Sequence, residues 1–209
     1  MQEENRLYQE PADESEMQYF RYEGNRFLID RGVLKDVLVE SRVVRVPDNV
    51  KEIRRQAFLD ARLEGRIEVL FIPSSVKKIE RLTFAGMPRL EQVEIQAAIV
   101  TLEQGMFRNC MRLERVILPN TLRVIESRAF EGCLKLIEVQ LPRVYVQISE
   151  DAFQKCVNLK DARIERAVAD AEYKRKKEEE EARRARFPHL NQEEKKETED
   201  ASGDEVPAG

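Results

Sequence analysis

Five phenylalanines recur at an almost constant interval. Phe84, Phe107, Phe130 and Phe153 are evenly spaced, and Phe58 stands three positions further out than the same step would place it. A fixed period of this kind is the mark of a stacked repeat architecture, and it outweighs any local propensity. Other columns keep the same register. An aliphatic residue stands five positions before each ring: Ile53, Ile79, Leu102, Ile125 and Ile148. Pro47, Pro73, Pro119 and Pro142 share a column in which Gln96 replaces the missing proline. Paired aliphatics precede it, as in Val44 and Val46, Leu70 and Ile72, or Val116 and Leu118. Leu90, Leu113, Leu136 and Leu159 stand six positions after the later rings.

The spacing dictates the unit. Alternating aliphatics in L-x-x-V-x-L put two side chains on one face of a short strand. The proline ends that strand, since it has no N–H to continue a ladder. A second extended segment such as "SVKKI" turns another aliphatic inward, and the aromatic fills the following turn. One coil cannot bury its own apolar side. Stacking coils at the inter-strand spacing of about 4.8 Å makes the core continuous. The expected fold is a mainly β solenoid of about five coils over residues 43–164. The extra residues of the first coil, within "LDARLEGR", are expected to bulge at a corner without breaking the stack.

The run "LERVILPNTLRVIESRAFEGCLKL" resembles the BspA-like class of leucine-rich repeats, whose units read L-x-x-V-x-L-P-x-x-V-x-x-I-x-x-x-A-F-x-x-C-x-x-L. "LIEVQLPRVYVQISEDAFQKCVNL" is similar, and "FLIDRGVLKDVLVESRVVRVPDNVKEIRRQAF" resembles the hairpin-like lead-in of bacterial members. The likeness covers about residues 27–164. It implies a right-handed, curved leucine-rich repeat stack used as an interaction surface, often at cell surfaces and in host adhesion.

Around the solenoid the chain divides into a flexible segment 1–18, an N-terminal cap 19–42, a charged helix 165–187 and a disordered acidic tail 188–209. In the helical part Ile164, Val168 and Ala171 fall at helical spacing, so its first turns are expected to cap the last coil. Acid-before-base pairs four apart, such as Glu172–Lys176, support the remainder. Pro188 is expected to stop it.

Three cysteines, Cys110, Cys133 and Cys156, repeat at the interval of the rings, and neighbouring sulfurs would be close in a stack. Ala61 and Met87 fill the same column in the first two coils. A small, soft residue packed at a coil corner therefore suits the column better than a metal ligand. His189, the only histidine, lies in the tail. No phosphate-cradling glycine loop, G-x-S-x-G or H-E-x-x-H occurs, so no catalytic centre, metal or cofactor is expected.

The outward strand positions are the candidate site. They read Val43, Val69, Gln92, Arg115, Glu138 and Asp161 in one column, and Arg45, Phe71, Glu94, Ile117, Gln140 and Arg163 in the next. Apolar residues ringed by polar ones mark interaction surfaces. The candidate protein-binding face is Val69, Phe71, Gln92, Glu94, Arg115 and Ile117. The alternative is that residues 19–42 fold over Val69 and Phe71 and bury them.

Net charge is −4, with both signs abundant, which is not the dominant positive field of a duplex DNA binder. "KRKKEEEE" cancels its own bases. The segment 1–18 shows neither a basic start nor an apolar run, so a cytoplasmic chain with reduced thiols is expected. No stretch of about 18 apolar residues offers a membrane span. The leading functional expectation is a non-enzymatic protein–protein interaction module binding an unknown protein. A secreted or surface host-interaction protein is the second reading. A nucleic-acid adaptor using the basic part of the C-terminal helix is the third.

Overall fold

The computed structural model describes residues 19–186. The segment 1–18, the tail 188–209, Pro188 and His189 lie outside the described residues. The chain enters as an antiparallel meander of β1 (Phe20–Tyr22), β2 (Asn25–Asp30) and β3 (Val33–Leu38). Its two turns, Glu23–Gly24 and Arg31–Gly32, have positive φ at both residues, as tight hairpin turns require.

Each later coil contributes two strands. The first ladder consists of β4 (Val43–Arg45), β6 (Val69–Ile72), β8 (Gln92–Ile95), β10 (Arg115–Ile117) and β12 (Glu138–Gln140), all parallel. The second face holds β5 (Glu52–Ile53) and β7 (Lys78–Ile79), then β9 (Thr101–Leu102), β11 (Val124–Ile125) and β13 (Gln147–Ile148). β3 pairs with β5, so the meander continues the second face as extra rungs. It does not lie across the first ladder. Asn25 fastens it there. This fully buried amide donates to the Val43 carbonyl at 3.0 Å and accepts from the Glu40 and Ser41 N–H groups at 3.0 and 3.1 Å.

Between the two faces runs the ring column. Phe84, Phe107, Phe130 and Phe153 stack nearly parallel at centroid distances of 5.4, 5.5 and 5.0 Å, and Phe58 meets Phe84 edge-on at 5.1 Å. The turns carrying the rings are themselves laddered: Phe107 N–H donates to the Ala129 carbonyl and Phe130 N–H to the Ala152 carbonyl, each at 2.8 Å. The second position after the ring has a left-handed backbone in four successive coils, at Gly86, Asn109, Gly132 and Lys155. The extra residues of the first coil form a short helix, α1 (Leu59–Glu64), closed by Gly65 in the left-handed region, instead of a bulge. Its Ala61 faces the core.

The strand register ends one coil earlier than the sequence columns place it. Asp161 and Arg163 are not ladder residues. Asp161 Oδ1 accepts from the Arg163 and Ile164 N–H groups at 2.8 and 3.2 Å, which starts α2 (Ala162–Arg186) three positions before the expected boundary. Ile164 is buried in the core, and Ala167 and Val168 pack against it. The chain divides into two units at Val168. Within the second unit the helix carries the expected Glu172–Lys176 pair at 3.5 Å, together with the reversed pairs Arg175–Glu179 and Lys177–Glu181 at 2.7 and 3.8 Å.

Candidate functional site

Strand alternation builds the face of the first ladder. In β6, β8 and β10 the side chains of Leu70, Ile72, Val93, Ile95 and Val116 enter the core, so their neighbours must point away from it. The pairing fixes two outward columns: Val43, Val69, Gln92, Arg115 and Glu138, then Arg45, Phe71, Glu94, Ile117 and Gln140.

The six candidate residues lie together. Val69, Phe71, Gln92, Glu94, Arg115 and Ile117 line one depression of about 260 Å³, with Glu138 at its edge. Ile117 is 43% exposed, and Gln92 and Arg115 are exposed, whereas Val69, Phe71 and Glu94 are half-buried. Arg115 leans toward Glu138 at 3.6 Å, and Glu94 accepts from the Gln96 side-chain amide at 2.7 Å.

Phe71 is the instructive case. Its outer surface is occupied by Arg45, whose guanidinium sits 3.7 Å from the ring centroid. Arg45 is held there by Glu23 of the β1–β2 turn at 3.0 Å. The meander therefore reaches Phe71 through one arginine and leaves the rest of the face open. Neither extreme of the sequence reading, a bare ring or a buried one, describes it. A cation over an aromatic face is attractive in its own right. Beside this stack lies a second hollow of about 300 Å³, lined by Tyr22, Glu23, Arg45, Asp48, Phe71 and Glu94 among others. Burial raises the Tyr22 pKa, and the carboxylates of Glu23 and Asp48 raise it further. Glu23 and Tyr22 escape sequence reasoning because their approach depends on where the meander docks. Arg45 stands in the outward column next to Phe71, and that adjacency is the signal available for the stack.

The cysteine column has a geometric explanation. The thiols of Cys110, Cys133 and Cys156 donate to the carbonyls of Phe84, Phe107 and Phe130, each at 3.1 Å. Burial pushes the Cys110 thiol up to about 12. The adjacent Cys156 sulfur, together with burial, raises Cys133 as well, and Cys133 in turn lowers Cys156. Cys110 and Cys133, held protonated in this way, are poor nucleophiles. Among the described residues, no group of three or more His, Cys, Asp or Glu side chains could hold a metal ion. No described helix is long and apolar enough to cross a membrane.

Over residues 40–160 the chain matches the family model described as "BspA type Leucine rich repeat region (6 copies)". Its fold is similar to that of a leucine rich cell surface protein from Faecalibacterium prausnitzii A2-165, with a TM-score of 0.59 and 22% identity over 72% of this chain and 42% of that one. A leucine-rich repeat protein from Eubacterium ventriosum ATCC 27560 aligns with a TM-score of 0.48 and 14% identity over 68% of this chain and 51% of that one. The chain thus spans about half or less of the length of these two structures. No curated protein matches it.

Proposed function

The chain belongs to the BspA-type leucine-rich repeat family, and from that premise we propose that it is a non-enzymatic module that binds another protein on the face of its first strand ladder. One observation carries this reading. Every second side chain of five neighbouring parallel strands faces away from the core, and those of the middle coils surround a depression with apolar and charged walls. Such a mixture is what interface centres and their rims are made of. Phe71 supplies an aromatic anchor, Ile117 an exposed aliphatic one, and Glu94 and Arg115 supply opposite charges around them.

Of the two compartments to be distinguished, one is the cytoplasm. The competing location is the cell surface, favoured by the Faecalibacterium relative, which is described as a leucine rich cell surface protein. The test is recovery of bound proteins from a lysate and from a surface-protein fraction, with the parent chain and with Ile117→Asp. Specific partners lost on Ile117→Asp support the docking face, and the fraction that yields them decides the compartment. Partners retained equally by the variant would refute the assignment.

A further inference from the structure

A second surface, on the turns of the solenoid, shows a pattern independent of the strand face. Pro88, Met111, Leu134 and Val157 each stand four positions after their ring, and all four are exposed, the last three by 53, 42 and 72%. The turns bearing them are locked coil to coil. The Asn109 N–H donates to the Glu131 carbonyl at 2.7 Å, the Gly132 N–H to the Gln154 carbonyl at 2.9 Å, and the Asn158 side-chain amide to the Leu134 carbonyl at 2.7 Å. The four side chains therefore form one apolar ridge along the stacking direction, roughly 14 Å long at about 4.8 Å per coil.

One flank of the ridge is basic and the other is largely neutral. The next residue of each coil is Arg89, Arg112, Lys135 and Asn158. On the other side, beyond the buried Cys column, stand Gly86, Asn109, Gly132 and Lys155. Neither column contains a carboxylate. Glu91 reaches Arg112 at 2.8 Å, and Glu131 lies 4.0 Å from Lys155. Arg89 and Lys135 take part in no ion pair among the described residues. In a chain of net charge −4, this is a local reversal of sign beside exposed hydrocarbon.

We propose that this ridge is a docking site for an amphipathic α-helix of a partner protein, laid along the stacking axis with acidic residues beside its apolar stripe. The charge of the occupant follows from the two uncompensated cations. Its helical form follows from spacing. A helix advances about 5.4 Å per turn, close to the rise of one coil, so successive turns meet successive ridge residues. Same-face side chains of an extended strand recur about every 6.7 Å and fall out of phase after one step. Three helical turns span the ridge.

The test uses the full chain and two labelled helical peptides of equal length, each with a leucine stripe, one flanked by Glu and one by Lys. Vesicles containing phosphatidylserine are run in parallel. Expected is saturable binding of the Glu-flanked peptide only, weakened by salt, and about tenfold weaker with Leu134→Asp or Lys135→Glu. Phe71→Glu should leave this binding unchanged, which separates the ridge from the strand face. Circular dichroism checks that Leu134→Asp keeps the parent fold, and Val157→Asp replaces it if not. Equal binding of both peptides, no binding, or binding indifferent to the ridge variants would overturn the proposal. So would vesicle association that depends on Leu134 without peptide binding, since the ridge would then face lipid.

Discussion

Two residues show how packing sets chemistry in this stack. Phe130 is fully buried, with rings 5.5 and 5.0 Å away on either side, so no solvent-facing rearrangement can fill the space it leaves. Phe130→Ala is expected to cost about 3–5 kcal/mol, read from the denaturant midpoint, because a truncated core ring loses both transfer energy and contacts. A midpoint unchanged from the parent would show that the column does not carry the core. Cys110 makes a prediction in pH. Folding raises its thiol from 9.0 to about 12, so the native state favours the protonated form. The stability it contributes is complete below about pH 9 and is lost as pH rises toward about 12. Stability should therefore fall over that window, and fall less steeply in Cys110→Ala. Parallel curves for the two proteins would show that Cys110 is not responsible.

At the scale of elements, the decisive joint lies between the meander and the first coil. Asn25 bonds backbone groups on both sides of it from a fully buried position, which no apolar residue can do. Asn25→Ala leaves the part-buried Glu40 and Ser41 N–H groups without that acceptor, and losing such hydrogen bonds costs about 0.5–1.5 kcal/mol each. Hydrogen exchange should quicken in residues 20–45 first, while β10 and β11 stay protected. Uniform loss of protection would place the joint elsewhere. Phe71→Glu acts on the same region through Arg45. The new carboxylate removes the ring and draws the guanidinium away from Glu23, so some loosening of the β1–β2 turn is expected along with lost partner binding. Retained binding with only the loosening would remove Phe71 from the docking face. These two joints also mark what the sequence conceals. Ring, aliphatic and proline columns are visible because each coil repeats the same environment, and alternation alone places Gln92, Glu94, Arg115 and Ile117 outside. Glu23 over Arg45, Asp161 at the start of α2 and the α1 turn occur once each, at ends or insertions, where no column exists to compare. Met111, Leu134 and Val157 repeat in the sequence too, but that they are exposed is known only from the turn geometry.

For the molecule as a whole, neighbouring coils supply one another's hydrogen bonds and ring contacts, which makes the solenoid closer to a sum of coils than to a single indivisible core. That has a sharp consequence for deletions. Removing residues 69–91 takes out one whole period and joins Glu68 to Gln92. Val93 and Ile95 then occupy the places of Leu70 and Ile72 beside β4, and Phe107 follows Phe58 in the ring column. The Arg108–Glu131 pair, 2.9 Å apart, is untouched. The shortened chain should fold, with a single cooperative transition at a lower temperature, since one interface has been lost. Removing residues 70–91 instead leaves Val69 as one surplus residue ahead of the strand. Because side chains alternate with a period of two, a one-residue slip presents Gln92 and Glu94 to the core and Val93 and Ile95 to water. That chain should fold only by bulging, with a markedly lower melting temperature than the in-phase deletion, although it retains more of the sequence. Equal melting temperatures for the two would mean that the repeat register does not hold the stack together. The in-phase deletion also removes Val69 and Phe71 but keeps Gln92, Glu94, Arg115 and Ile117, so a folded product that still captures the same partner would confine binding to the later coils of the face.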